Sequence, residues 1–269
     1  VIRDIDPGEV LTITADGVSS EFMTRDPDAR KKSALCLFEF VYIARPDSTI
    51  DGASVYEARY EAGRTLAREQ PCDADMVIGA PDSGIVASMG YAFESGIPYG
   101  SGLLKNRYVG RTFIQPTQMQ RELAVTMKFS ALKKSIHGKR LVMVDDSIVR
   151  GTTTRHIIMM LKAAGAKEVH MRIASPPVLY PCFYGVDTPS QDELSACNMT
   201  LEEIREMIGA DSLGYISLDG LTASVKGLSC GLCCTCFDGA YPGGIPSSMA
   251  DKIRRIEFAG AKSAVETAR

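Results

Sequence analysis

Two adjacent carboxylates, Asp145 and Asp146, follow an apolar run, Leu141-Val-Met-Val144, and precede Ser147-Ile-Val-Arg-Gly-Thr-Thr-Thr154. The run reads as a short buried strand. His156-Ile-Ile-Met-Met-Leu-Lys162, just beyond the threonines, reads as a helix. Ligands of open α/β sheets bind beyond the carboxyl ends of the strands, and the amides of a helix N-terminus favour a phosphate. Two acids beside a phosphate repel the ligand unless it brings them a diol or a metal ion. A ribose diol needs two acceptors, and a metal-bound pyrophosphate needs nearby negative charge. A phosphoribosyl group with its phosphates brings both. Strands often end in Asp and Thr often caps helices, so strand, Asp, turn and helix alone would be structural. Adding Ser147, Ile148, Val149, Arg150, Gly151, Thr152 and Thr153 makes the string much narrower. It is not the GxxxxGK[ST] mononucleotide loop, because no Lys follows the Gly.

Asp82-Ser83-Gly84 repeats the pattern after the strand Ala74-Asp-Met-Val-Ile78 and before a helix that runs through Phe93. Alone it is an ordinary turn between strand and helix. Beside the acid pair it supplies amides for a second phosphate. Ser83 then joins Asp145 and Asp146 around Mg²⁺, which keeps several waters and takes few protein ligands. Lys105-Asn-Arg-Tyr-Val-Gly-Arg-Thr-Phe-Ile-Gln115 has no helical apolar stripe. By composition alone it is a solvated basic loop. As a lid, Lys105, Tyr108 and Arg111 cover a departing pyrophosphate and exclude water.

Cys230-Gly-Leu-Cys-Cys-Thr-Cys236 holds two CxxC spacings, Cys230/Cys233 and Cys233/Cys236, with Cys36 and Cys182 elsewhere in the chain. Such thiolates bind zinc or iron–sulfur clusters. A thioredoxin-like redox pair lacks its βαβ context. Cys72 and Cys197 read as small buried thiols.

The elements that must position these groups alternate. Val10–Thr14 reads as a strand after a turn at Asp6-Pro-Gly8, and resembles the last piece of a preceding unit. Residues 25–32 are charged and linker-like. Strands are expected at Leu35–Ala44, Ala74–Ile78, Gly96–Tyr99, Leu141–Val144 and Glu168–Ala174. Helices are expected at Asp51–Glu69, up to Phe93, at Met119–Phe129, and at His156–Lys162 with Gly165 as its stop. Two more are expected at Thr200–Ile208, with a Thr200/Glu203 capping box, and at Ser248–Ala268. Strands alternating with helices imply an α/β fold with a central, mostly parallel sheet.

The 269 residues suit one large domain or slightly more, and 45% hydrophobic residues can fill its core. A net charge of -3 gives no general attraction to nucleic acid or anionic membrane. No apolar run approaches the roughly 20 residues that span a bilayer. The sequence opens at Val1 in apparent β structure, with neither Met nor a signal peptide, and reads as a fragment. Eight cysteines without a secretory signal point to the cytoplasm and to metal or redox use.

The acid-pair string resembles the PRPP-binding motif of type I phosphoribosyltransferases. Together with Lys105-Asn-Arg-Tyr-Val-Gly-Arg-Thr-Phe-Ile114, Tyr42-Ile-Ala-Arg-Pro-Asp-Ser48 and Ser175-Pro-Pro177, it resembles the glutamine phosphoribosylpyrophosphate amidotransferase family. The resemblance covers nearly the whole chain. It implies the type I phosphoribosyltransferase fold with a flexible catalytic loop over residues 35–269, and residues 1–34 as the tail of a glutaminase domain plus linker. It implies that PRPP and ammonia give 5-phosphoribosylamine and pyrophosphate, opening purine synthesis, with purine nucleotides as inhibitors and a homotetramer as assembly. The glutaminase body and its N-terminal Cys nucleophile are not in this sequence, so only free ammonia would serve. By the same resemblance Asp82, Ser83, Gly84 and residues 145–153 bind PRPP, Lys105, Tyr108 and Arg111 serve catalysis, and Mg²⁺ sits at Ser83, Asp145 and Asp146. In the iron–sulfur branch of the family, the 4Fe-4S ligands correspond to Cys36, Cys182, Cys233 and Cys236, although Cys230 has an equally good spacing to Cys233. Two other readings use the same fold: a PRPP-binding regulator without catalysis, and a transferase acting on a nucleobase. No nucleic-acid-binding signature and no base-stacking hood is recognisable for them.

Overall fold

The computed structural model describes residues 3, 5–6, 8–23, 33–106, 128–186, 188 and 190–245. The expected linker at 25–32, the lid residues Tyr108 and Arg111, most of the Met119–Phe129 helix and the helix at Ser248–Ala268 lie outside them. Among the described residues, no helix is long and apolar enough to cross a membrane.

An exposed antiparallel hairpin comes first, β1 (Glu9–Thr14) and β2 (Gly17–Phe22). None of its side chains enters the buried clusters. Next come β3 (Ala34–Cys36), a wide helical turn at Glu39–Ile43, the short pair β4 (Thr49–Ile50) and β5 (Ala53–Ser54), and α1 (Val55–Glu69). Strand β6 (Met76–Gly79), α2 (Gly84–Ser95), the antiparallel pair β7 (Leu103–Lys105) and β8 (Phe129–Ala131), and α3 (Lys133–Ile136) follow. Then come β9 (Arg140–Asp145), α4 (Thr152–Ala163), β10 (Glu168–Ile173), α5 (Ser195–Asn198) and α6 (Leu201–Ile208). The last are β11 (Ser212–Tyr215), α7 (Leu218–Ser224), β12 (Gly231–Cys233) and α8 (Thr235–Asp238).

Four strands form the central sheet in the order β11-β10-β9-β6, every neighbour parallel. Strand β9 is buried on both sides, as its unbroken apolar run requires. Successive side chains of a strand point to opposite faces. Leu141 and Met143 therefore join Ile157, Leu161 and Ile204 on one face, while Val142 and Val144 join Leu66, Ala87 and Tyr91 on the other. Helices α1 and α2 touch backbone to backbone. A Cβ on Gly63 would fall 1.9 Å from the Ala87 carbonyl oxygen, and one on Gly90 would fall 2.0 Å from that of Tyr60.

Four expectations need correction. Leu35–Ala44 is not one strand: only Ala34–Cys36 is extended, and the chain then coils through Glu39–Ile43. Leu37, Phe38, Phe40 and Val41 are all buried, and a fully buried apolar run looks the same as strand or coil. The helix expected from Asp51 begins at Val55. Asp51 and Gly52 both take positive φ (46° and 86°), closing a β4–β5 hairpin of the kind that Asp-Gly favours, and the Ser54 hydroxyl accepts from the Glu57 amide at 3.3 Å to start α1. Gly96–Tyr99 contributes one parallel bridge, Tyr99 to Val77, not a strand, because Pro98 has no N–H for a ladder. Phe129, expected to end a helix, opens β8.

Candidate active site

The carboxyl ends of β6 and β9 lie side by side, Gly79 opposite Val144. The loops that follow, 80–83 and 146–151, therefore share one rim of the sheet. They border a cavity of about 1190 Å³. Asp82, Ser83, Lys105 and every residue from Asp145 to Thr154 line it. Gly84 does not. It lies beneath, where its missing side chain lets α2 start against β9: a Cβ would sit 2.3 Å from the Val144 carbonyl oxygen.

The acid pair is held by short local contacts. The Asp146 amide donates to Asp145 Oδ1 at 2.9 Å, and Ser147 Oγ donates to Asp146 Oδ1 at 2.5 Å. Burial, then the neighbouring Asp146 charge, pushes Asp145 well above the usual carboxylate range. Burial raises Asp146 too, while hydrogen bonds from Ser147 and Ser83 and the Arg59 charge pull it back. Ser83 thus reaches the acid pair from the neighbouring loop.

Gly151 sits at φ 75°, a left-handed conformation open to glycine, and turns the chain into α4. No side chain caps that helix. The first N–H groups of a helix have no partner within it, so the amides from Thr152 onward face the cavity rim as donors for an anion.

Two cations of the site are engaged by protein carboxylates. Lys105 pairs with Asp82 and Arg150 pairs with Glu193. Glu193, Lys128 and the wall from Tyr42 to Pro46 also line the cavity. The resemblance draws attention to that wall, but Glu193 and Lys128 stand outside any recognisable motif. Lys128 Nζ lies 5.6 Å from the Phe129 ring centre. His156 Nδ1 donates to the Thr152 carbonyl on the α4 surface, and His170 bonds Ser212 and Glu168; neither lines the cavity.

The cysteines form a second centre. Parallel pairing of β12 with β3 sets Cys233 opposite Cys36. The Cys236 carbonyl accepts from the Leu179 and Tyr180 amides at 2.9 and 3.1 Å, which brings Cys182 alongside. Cys36, Cys182, Cys233 and Cys236 line one cavity of about 20 Å³. Burial raises the Cys36 thiol against the pull of the Phe38 and Glu39 amides. At Cys182 burial is outweighed by the amides of Gly185, Tyr184 and Val186, which leave the thiol below its ordinary value. Burial and then the other three thiols raise Cys236 strongly. Cys230 turns away to Asp51 Oδ2 at 3.4 Å, and Cys234 packs into the core, pushed up to about 11 chiefly by burial. Four convergent sulfurs with amides aimed at them suit a metal or cluster that binds thiolates. Among the described residues, no three His, Cys, Asp or Glu side chains already stand at metal-bonding distances, at the thiols or at the acid pair. Cys72 and Cys197 are half-buried, with Cys197 Sγ 2.9 Å from the Leu179 carbonyl oxygen.

Curated amidophosphoribosyltransferases match almost the whole chain. That of Mycobacterium tuberculosis is 56% identical over 254 residues, 93% of this chain and 47% of the relative. That of Archaeoglobus fulgidus is 53% identical over 252 residues, 93% of this chain and 54% of the relative. The chain spans about half the length of the curated relatives it matches. The solved glutamine PRPP amidotransferase of Bacillus subtilis, complexed with ADP and GMP, superposes with a TM-score of 0.76 at 50% identity, covering 90% of this chain and 53% of that one. No protein-family model matches the sequence. The parallel sheet with helices on both faces is the type I phosphoribosyltransferase fold expected from the sequence.

Proposed function

We propose that this chain, homologous over 93% of its length to the amidophosphoribosyltransferases, is the phosphoribosyl-transfer part of such an enzyme. In this reading PRPP and ammonia give 5-phosphoribosylamine and pyrophosphate, the first step of purine biosynthesis. One observation carries the reading: the acid pair and the uncapped N-terminus of α4 open on the same cavity as the Ser83 loop. That set matches a ribose diol, a 5-phosphate and a pyrophosphate on one ligand.

The roles follow from the groups. Asp145 and Asp146 accept from the ribose hydroxyls, and with Ser83 they hold Mg²⁺. Bound there, Mg²⁺ would offset charge on the pyrophosphate. The amides and hydroxyls from Ser147 to Thr153 take the 5-phosphate. Asp82 and Ser83 face the pyrophosphate, with Gly84 beneath them starting α2, and Lys105, released from Asp82, follows it as it leaves. Tyr108 and Arg111 would close over the site. Ammonia attacks C1 as the bond to pyrophosphate breaks, and no side-chain nucleophile is needed. Positioning and electrostatics supply most of the rate.

The four convergent thiols are read as ligands of a 4Fe-4S cluster tying β3 to the C-terminal segment, with Cys230 and Cys234 left over. Residues 1–34, including the exposed hairpin, are read as the edge of a glutaminase unit that would supply ammonia in a longer protein. The nucleotides bound to the Bacillus subtilis relative support purine nucleotides as inhibitors, with a 5-phosphate on the α4 amides. A homo-oligomer in the cytoplasm completes the reading.

Mixing the chain with Mg²⁺, PRPP and ammonium and following pyrophosphate tests it. Release that needs both Mg²⁺ and ammonium supports transfer. Tight PRPP binding with no release would favour the regulator reading.

A further inference from the structure

Arg59, on α1, is 5% exposed, and no carboxylate among the described residues lies within ion-pair reach of it. Its guanidinium is spent on backbone instead. Nε donates to the Phe40 carbonyl at 2.7 Å, and Nη2 donates to those of Ala44 at 2.8 Å and Glu39 at 3.4 Å. These are carbonyls of the turn that begins just after Cys36. Among the described residues, nothing accepts from Nη1. Arg59 borders the large cavity together with Ser83 and Asp146, and the same three groups border a small void of about 10 Å³. A buried cation costs several kcal/mol unless charge or dipoles offset it. Three carbonyls are one offset, and the Asp146 carboxylate, which borders the same cavity and void, is an opposite charge that acts on it.

We infer that Arg59 is a positioning residue for the acid pair: it clamps the Cys36–Ala44 segment onto α1 and presents its remaining cationic edge to Asp146. Arg59 touches no reacting atom. It fixes the place of a carboxylate that does, and it joins the thiol centre to the sugar site through eight residues of chain. Arginine suits the task because one rigid fork can hold several acceptors at once. A lysine would keep the charge and lose the fork. The inference rests on the reading of the cavity as a PRPP site, so its test includes a measurement that needs no substrate.

Amide hydrogen exchange on the intact chain, as wild type, Arg59→Lys and Arg59→Met, supplies that measurement. Loss of the clamp should speed exchange in the 37–44 segment and also in the 145–151 segment, with Arg59→Lys between the other two and Glu168–Ile173 unchanged. Faster exchange confined to 37–44 would overturn the inference, leaving Arg59 a local staple. The kinetic counterpart uses Mg-PRPP: KM should rise about tenfold in Arg59→Met, the scale of coupling between residues that share a cavity, with kcat changed far less and partial rescue in Arg59→Lys. Equal falls in kcat with KM unchanged would also overturn it. If wild type shows no Mg-PRPP turnover, the functional reading fails, while the exchange comparison still decides the clamp. If Arg59→Met does not fold, the same comparisons stand on Arg59→Lys.

Discussion

Cys233 lies directly opposite Cys36 across the parallel pairing of β12 with β3, 197 positions away in sequence. The pairing joins the two ends of the described core, and Cys182 and Cys236 border the same small cavity. Protein purified without oxygen should absorb broadly in the blue-visible range, lose that absorption in air, and carry about four irons per chain, as a 4Fe-4S cluster requires. Cys36→Ser and Cys233→Ser should lose the iron, while Cys230→Ser and Cys234→Ser should keep it. A colourless anaerobic preparation with stoichiometric zinc would contradict the cluster.

The acid pair should make stability depend on pH. Burial, then Asp146, holds Asp145 well above an ordinary carboxylate. An acid with a raised folded pKa binds its proton more tightly in the folded state. Its contribution to stability is then greatest at low pH and falls as pH rises from about 3.9, the ordinary Asp value, to the folded pKa. Without divalent cation, the Tm of wild type relative to Asp145→Asn should fall across that window. Mg²⁺ with PRPP should restore the Tm of wild type and not of the variant. Parallel Tm profiles for the two proteins would count against a strained acid pair.

Gly84 makes a packing prediction. With a Cβ 2.3 Å from the Val144 carbonyl oxygen and 3.0 Å from Asp145 Cα, Gly84→Ala must push α2 away from the end of β9. Overpacking of this kind costs about 1–3 kcal/mol. Denaturant unfolding should show that loss, and PRPP binding should weaken with it because the acid pair shifts. Wild-type stability would mean the two elements separate freely.

The central sheet and its helices were readable because β9, β10 and α6 combine period, cap and stop signals in a few residues. Leu141–Val144, closed by an acid pair and a polar turn, read as a buried strand, and Thr200 with Glu203 read as a capping box that opens a helix. The turn after Cys36 was not readable, because Leu37, Phe38, Phe40 and Val41 are buried whichever way the backbone runs. Arg59, nineteen residues beyond Phe40, donates to its carbonyl, and such a long-range cap leaves no local mark. Asp51-Gly52 did carry a hairpin signal that the adjacent helical pattern masked. In the site, the acid pair and phosphate turn were visible because consecutive residues make them. Glu193, Lys128 and Arg59 were not, since only the fold brings them to the same cavity. The selection of Cys36, Cys182, Cys233 and Cys236 came from the resemblance, since spacing alone favoured Cys230 as much.

The claim that the acid pair and the α4 amides hold one phosphoribosyl pyrophosphate is tested most directly by titration calorimetry with PRPP. It should be run with and without Mg²⁺, on wild type and on Asp146→Ala. The account predicts one PRPP per chain, bound only with Mg²⁺, and no measurable binding by a variant that still unfolds cooperatively. PRPP binding that ignores Mg²⁺, or that survives in Asp146→Ala within a few-fold, would contradict it.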